Sequence, residues 1–211
     1  MKRLITNFLN LALILCIGFG LGGCVTTNLP FSSTSPWIEV ELNTDSSPLD
    51  ISFIDSEHGF LVGSNRLIME STNGGKTWDE RLLTLPDQEN FRLISVDFQG
   101  DEGWIAGQPG LILHTNDAGK NWTRLALGNT LPGEPYLITS IGKDSAELAT
   151  TAGAVYRTNN GGVDWEGKVG EASGGIRDLR RAEDGSYVSA SSLGNFFATL
   201  SPEDEAWEPH Q

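Results

Sequence analysis

Thr115-Asn116-Asp117-Ala118-Gly119-Lys120-Asn121-Trp122 decides the fold, because the same pattern stands on either side of it. It recurs as Ser71-Thr72-Asn73-Gly74-Gly75-Lys76-Thr77-Trp78 and as Thr158-Asn159-Asn160-Gly161-Gly162-Val163-Asp164-Trp165. Each copy reads Ser/Thr-x-Asp/Asn-x-Gly-x-x-Trp, and the starts lie 44 and then 43 residues apart. Self-similarity at a period of roughly 40 to 50 residues marks a propeller or another repeat array.

The rest of the unit repeats as well. A short apolar run precedes each box: Leu67 to Ser71, Leu111 to Thr115 and Ala154 to Thr158. Before the first two runs come Gly59-Phe60-Leu61-Val62-Gly63 and Gly103-Trp104-Ile105-Ala106-Gly107, and before these Ile51-Ser52-Phe53 and Val96-Asp97-Phe98. Four short strands parted by Gly, Asp and Asn turns make the blade of a β-propeller. A worn fourth unit follows, with strands over Ile176 to Arg181, Ser186 to Ala190 and Asn195 to Thr199. Its box, taken from Thr199 to Trp207, is one residue too long and lacks the glycine. The expected fold is all-β, with four antiparallel four-stranded blades over residues 37–211.

The box is read as a turn staple. Asp or Asn accepts backbone N–H bonds inside the turn, Gly takes a backbone angle other residues avoid, and Trp packs on the blade. Its key residues are Ser71, Asn73, Gly75, Trp78, Thr115, Asp117, Gly119, Trp122, Thr158, Asn160, Gly162 and Trp165. Trp37-Ile38-Glu39-Val40-Glu41-Leu42 resembles the strand after a box and is expected to be an N-terminal closing strand without its blade. An unclosed arc leaves sheet edges bare, so the chain is expected to be part of a longer, ring-closed protein.

The N-terminus has another purpose. Lys2 and Arg3 precede an apolar run from Phe8 to Gly22, which ends in Leu21-Gly22-Gly23-Cys24. That is a secretory signal over residues 1–23, with Cys24 as the lipidated residue of a bacterial lipoprotein and residues 24–36 as a linker. An uncleaved transmembrane anchor is the other reading. Either one tethers the domain to a membrane outside the cytoplasm. Cys16 lies in the signal, so no thiol is left for a disulfide, a metal site or a nucleophile. Beyond residue 23 the chain carries 12 basic and 28 acidic residues, a net charge of −16 that repels nucleic acid.

Arg177, Arg180 and Arg181 form the one dense positive cluster. They read either as a partner-binding patch suited to carboxylates or as a solvated strand edge paired with Asp178 and Glu183. His58, His114 and His210 are scattered without metal-ligand spacing, so neither metal nor cofactor is expected. No nucleophile-and-base constellation stands out. A sialidase-type enzyme needs an arginine triad and a Tyr/Glu pair on inner strands. Ile51-Ser52-Phe53, Val96-Asp97-Phe98 and Ile138-Thr139-Ser140 offer neither arginine nor tyrosine.

With the repeats placed, several motifs outside the box complete a pattern. They include Ser35-Pro36-Trp37, His58-Gly59-Phe60-Leu61-Val62-Gly63, Gly100-Asp101-Glu102-Gly103-Trp104-Ile105, Leu131-Pro132-Gly133, Arg177-Asp178-Leu179-Arg180 and Ala206-Trp207-Glu208-Pro209-His210. In order, over residues 35–211, the sequence resembles the photosystem II stability and assembly factors of cyanobacteria and plastids. The resemblance implies a seven-bladed propeller on the luminal side of the thylakoid membrane, lipid-anchored in cyanobacteria, with roughly three blades beyond Gln211. It implies a non-catalytic scaffold that binds the newly made D1 reaction-centre subunit and early photosystem II assembly intermediates. It also implies an arginine patch used in binding. The competing class is a sialidase-type or glycan-binding propeller.

Overall fold

A computed structural model describes residues 38–210, apart from 84, 86–88, 128–130 and 195. The signal, Cys24, the linker, Trp37 and Asn195 lie outside the described residues. The chain divides into a unit Met1–Glu39 and a propeller unit Val40–Gln211.

The propeller unit holds four antiparallel four-stranded sheets. Blade one is β1 (Pro48–Phe53), β2 (Gly59–Gly63), β3 (Ile68–Ser71) and β4 (Asp79–Glu80). Blade two is β5 (Arg92–Gln99), β6 (Glu102–Gln108), β7 (Leu111–Thr115) and β8 (Thr123–Leu125). Blade three is β9 (Pro135–Gly142), β10 (Ser145–Thr150), β11 (Val155–Thr158) and β12 (Glu166–Gly167). Blade four is β13 (Ile176–Arg181), β14 (Tyr187–Ser191), β15 (Phe197–Leu200) and β16 (Glu208–His210). Within each blade the strands pair in chain order. Tight turns allow this: at the box turns Gly74, Gly75, Gly161 and Gly162 take φ of 70 to 80°, as a left-handed turn requires.

The first strands of blades one, two and three lie side by side, and successive blades are stapled through side chains. The Asp50 carboxylate accepts from Val96 N (2.9 Å), Ser95 Oγ from Ile138 N (3.2 Å), and Asp97 from Ser140 N (2.8 Å). The Tyr136 hydroxyl donates to Asp178 at 3.3 Å. Strand ladders stop at each blade, so these bonds, turn-to-strand backbone bonds such as Arg66 N to Phe91 O (2.9 Å) and Ile176 N to Thr151 O (3.1 Å), and the seam cores together hold neighbours in register.

Three seams join the four blades, and each is built on the same positions. At the first, Phe60 of β2 stacks on Phe98 of β5 at 5.2 Å, and Trp122 meets both edge-on at 6.0 and 5.7 Å. At the second, Trp104 of β6 takes the place of Phe60 and meets Trp165 at 5.9 Å. At the third, Glu147 of β10 takes that place and Arg181 stands where Phe98 does, as the strand registers show.

Two sequence expectations need correction. The fourth box starts at Leu200, not Thr199. Leu200 pairs with Tyr187 as Ser71, Thr115 and Thr158 pair with Gly59, Gly103 and Ala146. From Leu200 to Trp207 the fourth box then has the length of the others; Leu200 is buried in the core, and Pro202 stands where the others have Asp or Asn. Nor do residues 38–42, the described part of the expected closing strand, form a strand. A closing strand must pair with a third strand, and β3, β7, β11 and β15 are each paired on both edges. Leu42 instead packs against the cluster of Leu61, Leu67 and Met69, as Trp78 does.

Candidate functional site

The boxes are structural in their geometry. In the second, Gly119 N donates to Thr115 Oγ1 (3.1 Å), Thr115 Oγ1 to Asp117 (2.7 Å), and Asn121 N to Asp117 (2.9 Å). The same three bonds join Gly75, Ser71, Asn73 and Thr77 in the first, and Gly162, Thr158, Asn160 and Asp164 in the third. Hydrogen bonds from the Asn121 side chain, the Asn121 backbone and Thr115 hold the Asp117 carboxyl down to about 2. The Ser/Thr hydroxyl and the Asp/Asn oxygen of each box are thereby spent on the turn, whereas the indole N–H groups of Trp122 and Trp165 are buried without a partner among the described residues.

The box also does something the motif alone does not reveal. Its Gly and Trp wedge against the preceding blade. A Cβ on Gly119 would sit 2.3 Å from Phe60, and one on Gly162 would meet Leu125 at 2.3 Å and Trp104 at 3.2 Å. Only a residue without a side chain lets the turn press that close. Trp207 donates its indole N–H to Gly153 O of blade three at 2.9 Å.

The histidines are engaged locally. His58 meets Glu70 at 2.7 Å, His114 meets Glu102 at 2.5 Å, and His210 meets Thr199 at 2.8 Å. Glu102, His114 and Asp144 present ligand-type atoms within 4.8 Å of one another. Hydrogen bonds account for this cluster: the buried Glu102 carboxylate accepts from His114 and from Asp144 N (3.0 Å), tying blade two to a turn of blade three.

The structure separates the three clustered arginines. Arg181 is drawn into the third seam, where its Nε donates to Glu147 at 2.9 Å. Glu147 is 2% exposed and also accepts from the Tyr187 hydroxyl at 2.9 Å, with Lys168 Nζ at 3.7 Å. Burial opposes the Arg181 charge, but the bond to and attraction of Glu147 outweigh it and raise its pKa; burial, then Glu147, raises that of Tyr187. Arg181 thus acts as a seam brace. Arg180 points the other way, its side chain 83% exposed, with Asp178 at 3.4 Å. Arg177 is exposed near the start of β13, at a bulge between Ile176 and Asp178.

Arg180 lines a groove of about 390 Å³ between the first strands of all four blades. Arg92 lines the same groove, together with Asp50, Tyr136 and Asp178. Sequence reasoning passed over Arg92 and Tyr136 because it read only the middle of each inner strand; β5 starts at Arg92 and β9 at Pro135. The inner strands therefore do carry arginine and tyrosine, but Tyr136 is bonded to Asp178 and burial raises its pKa first of all. A groove holding two exposed guanidinium groups, with Asp50 already bonded to Val96 N and Asp178 to Tyr136, can clamp the carboxylates of an extended peptide.

Residues 29–211 match the family model described as photosynthesis system II assembly factor YCF48. The photosystem II assembly lipoprotein Ycf48 of Prochlorococcus marinus (strain SARG) is 66% identical over the whole chain, which spans 62% of that relative's length. A solved YCF48 bound to a D1 peptide is 46% identical, with a TM-score of 0.82 over 85% of this chain and 60% of that one. A GH74 enzyme of Niastella koreensis, 13% identical with a TM-score of 0.58 over 77% of this chain and 30% of that one, shares the fold alone.

Proposed function

This chain belongs to the photosynthesis system II assembly factor YCF48 family, and on that premise we propose that it is a non-catalytic scaffold for photosystem II assembly. It binds the newly made D1 subunit and early reaction-centre intermediates on the luminal side of the thylakoid membrane, where lipid on Cys24 holds it. The observation that carries the reading is the close likeness, in sequence and in fold, to a YCF48 solved with a D1 peptide.

The groove supplies the chemistry. Arg92 and Arg180 offer cationic forks on a chain whose net charge is −14, so an acidic or carboxylate-bearing segment is drawn there in preference to the surrounding surface. Arg177 extends the positive edge of β13. A glycosidase reading is less favoured. Among the described residues the groove gathers two arginines, not three, and its tyrosine is already bonded to an aspartate.

The test is binding of a synthetic D1 peptide to the full chain, compared with a scrambled peptide. Selective binding is expected, weakened about tenfold or more when Arg92 and Arg180 are both changed to Ala. Equal binding of the scrambled peptide, or turnover of a panel of glycosides, overturns the reading. Anchoring is tested separately: labelled palmitate incorporates into the wild type and not into Cys24→Ala.

A further inference from the structure

The three seams differ in what covers the box tryptophan. At the first, Leu83 and Leu85 of the connection after β4 and Leu113 of β7 line a smaller and more polar groove of about 250 Å³ beside Trp122. At the second, Leu127 and Leu131 pack against the cluster holding Trp165, and the half-buried Tyr156 stands in the register position of Leu113.

At the third seam the same positions are stripped. Lys168 N donates to Val155 O (2.8 Å) as Arg81 N donates to Ile68 O (2.9 Å), which fixes the alignment of the two connections. Gly170 and Ala172 therefore stand where Leu83 and Leu85 do. Ala198 pairs with Ser189 as Leu113 pairs with Ile105, so alanine replaces the third leucine too. The result is a mainly apolar groove of about 330 Å³ over Trp207, with Phe196 and Pro209 as further walls. It opens on the side of blade four that faces blade three, since the buried Ala198 lines it while Phe197, the next residue on β15, is exposed.

Its rim is acidic. Glu171 and Glu205 line the groove, both are exposed, and neither carboxylate meets a cation among the described residues. The nearby Lys168 is turned away, committed to Glu147 and to Pro202 O at 2.7 Å. A leucine-sized slot between two free carboxylates fits an apolar side chain flanked by lysine or arginine. A second copy of this chain, itself strongly anionic, is repelled from it.

We infer that the groove over Trp207 is a second docking surface, which takes a basic, leucine-bearing segment of a partner protein. It is separate from the Arg92–Arg180 groove and does not depend on what binds there.

The experiment uses the full chain and three fluorescent hexapeptides read by anisotropy: Gly-Lys-Leu-Lys-Leu-Gly, Gly-Lys-Ser-Lys-Ser-Gly and Gly-Glu-Leu-Glu-Leu-Gly. The first is expected to bind at least about tenfold more tightly than either other, since both the leucines and the charge contribute. Ala172→Leu, at an exposed position, refills the slot and lowers that affinity about tenfold; Leu82→Ala, on an exposed residue of the first connection, leaves it unchanged. Should Ala172→Leu lower the melting temperature, the exposed Glu205→Lys serves in its place and is expected to shift preference toward the acidic leucine peptide. Equal binding of the three peptides, or affinity untouched by both groove variants, overturns the inference.

Discussion

Glu147 and Arg181 occupy, at the third seam of the propeller, the two register positions that Phe60 and Phe98 fill at the first. One pair is an ion pair at 2.9 Å and the other a stack at 5.2 Å. Tyr187 stands where Gly103 does, and its hydroxyl takes up part of the Glu147 carboxylate. The same strand register thus accepts a charged wedge or an aromatic one: at the third seam the Glu147 carboxylate is fully engaged, whereas at the first two the indole N–H groups of Trp122, Trp104 and Trp165 are buried without a partner among the described residues.

A broken pair is worse than an absent one. Glu147→Ala leaves Arg181, Lys168 and the Tyr187 hydroxyl facing a dry seam, and is expected to cost about 2–4 kcal/mol, at the lower side of buried pairs because the Arg181 side chain is 19% exposed. Rebuilding the first seam takes four changes, Glu147→Phe, Arg181→Phe, Tyr187→Gly and Asp204→Gly, because Asp204 stands where Gly119 lets the turn press on Phe60. This variant is expected to lie closer to the wild type than Glu147→Ala does. Urea unfolding checks both. A quadruple variant as unstable as Glu147→Ala would show that the seams are not equivalent.

That exchange also marks what could be read from the sequence. The blades, their number and the box hydrogen bonds are local, and spacing with turn chemistry is enough to find them. The seam partners are not local. Glu147 lies 34 residues before Arg181, so three nearby arginines look like one patch until the fold sends Arg181 inward and Arg180 outward. Arg92 reaches the same groove as Arg180 from a distant strand with no motif to flag it. The fourth box misleads for a plainer reason: Thr199 offers the hydroxyl the motif demands, whereas strand pairing puts the apolar Leu200 in that position.

Ala118 is the odd residue of the box turns. It holds φ of 58° where the other two boxes have Gly74 and Gly161 at 70° and 71°. A left-handed alanine costs about 1–2 kcal/mol, and glycine gives back about 0.5–1 kcal/mol through the unfolded chain. Ala118→Gly is therefore expected to stabilise by about 0.5 kcal/mol, seen as a higher urea midpoint at unchanged slope. Gly119→Ala runs the other way: φ of 77° and a Cβ 2.3 Å from Phe60 are expected to cost about 3 kcal/mol. A stable Gly119→Ala would mean the box does not press on the preceding blade.

Asp97 staples blade two to blade three from a half-buried site. Burial raises its pKa against the bonds from Ser140 N and Phe98 N. The folded protein therefore binds the proton more tightly than the unfolded chain does. The resulting stability is complete below the ordinary value of 3.8 and is lost as pH rises through the folded value. Asp97→Asn keeps an acceptor for Ser140 N without the charge. It is expected to be more stable than wild type at pH 7 by roughly 0.5–1 kcal/mol, with the gap closing toward pH 3. A gap that widens on acidification would reverse the assignment.

Asp117 obeys the opposite sign. Its carboxyl titrates at about 2 in the fold against 3.8 ordinarily, because Asn121 and Thr115 donate to the charged form. Its contribution is present above 3.8 and fades only as pH drops through about 2. The site is open to solvent, so screening keeps the effect to a few tenths of a kcal/mol. Asp117→Asn copies the boxes at Asn73 and Asn160, keeps a side-chain acceptor for the Asn121 amide, and should fold normally. Urea midpoints of the two proteins from pH 7 to pH 2 are expected to start slightly in favour of wild type and to converge below pH 4. A constant offset across that range would place the wild-type advantage in packing and not in the charge on the box.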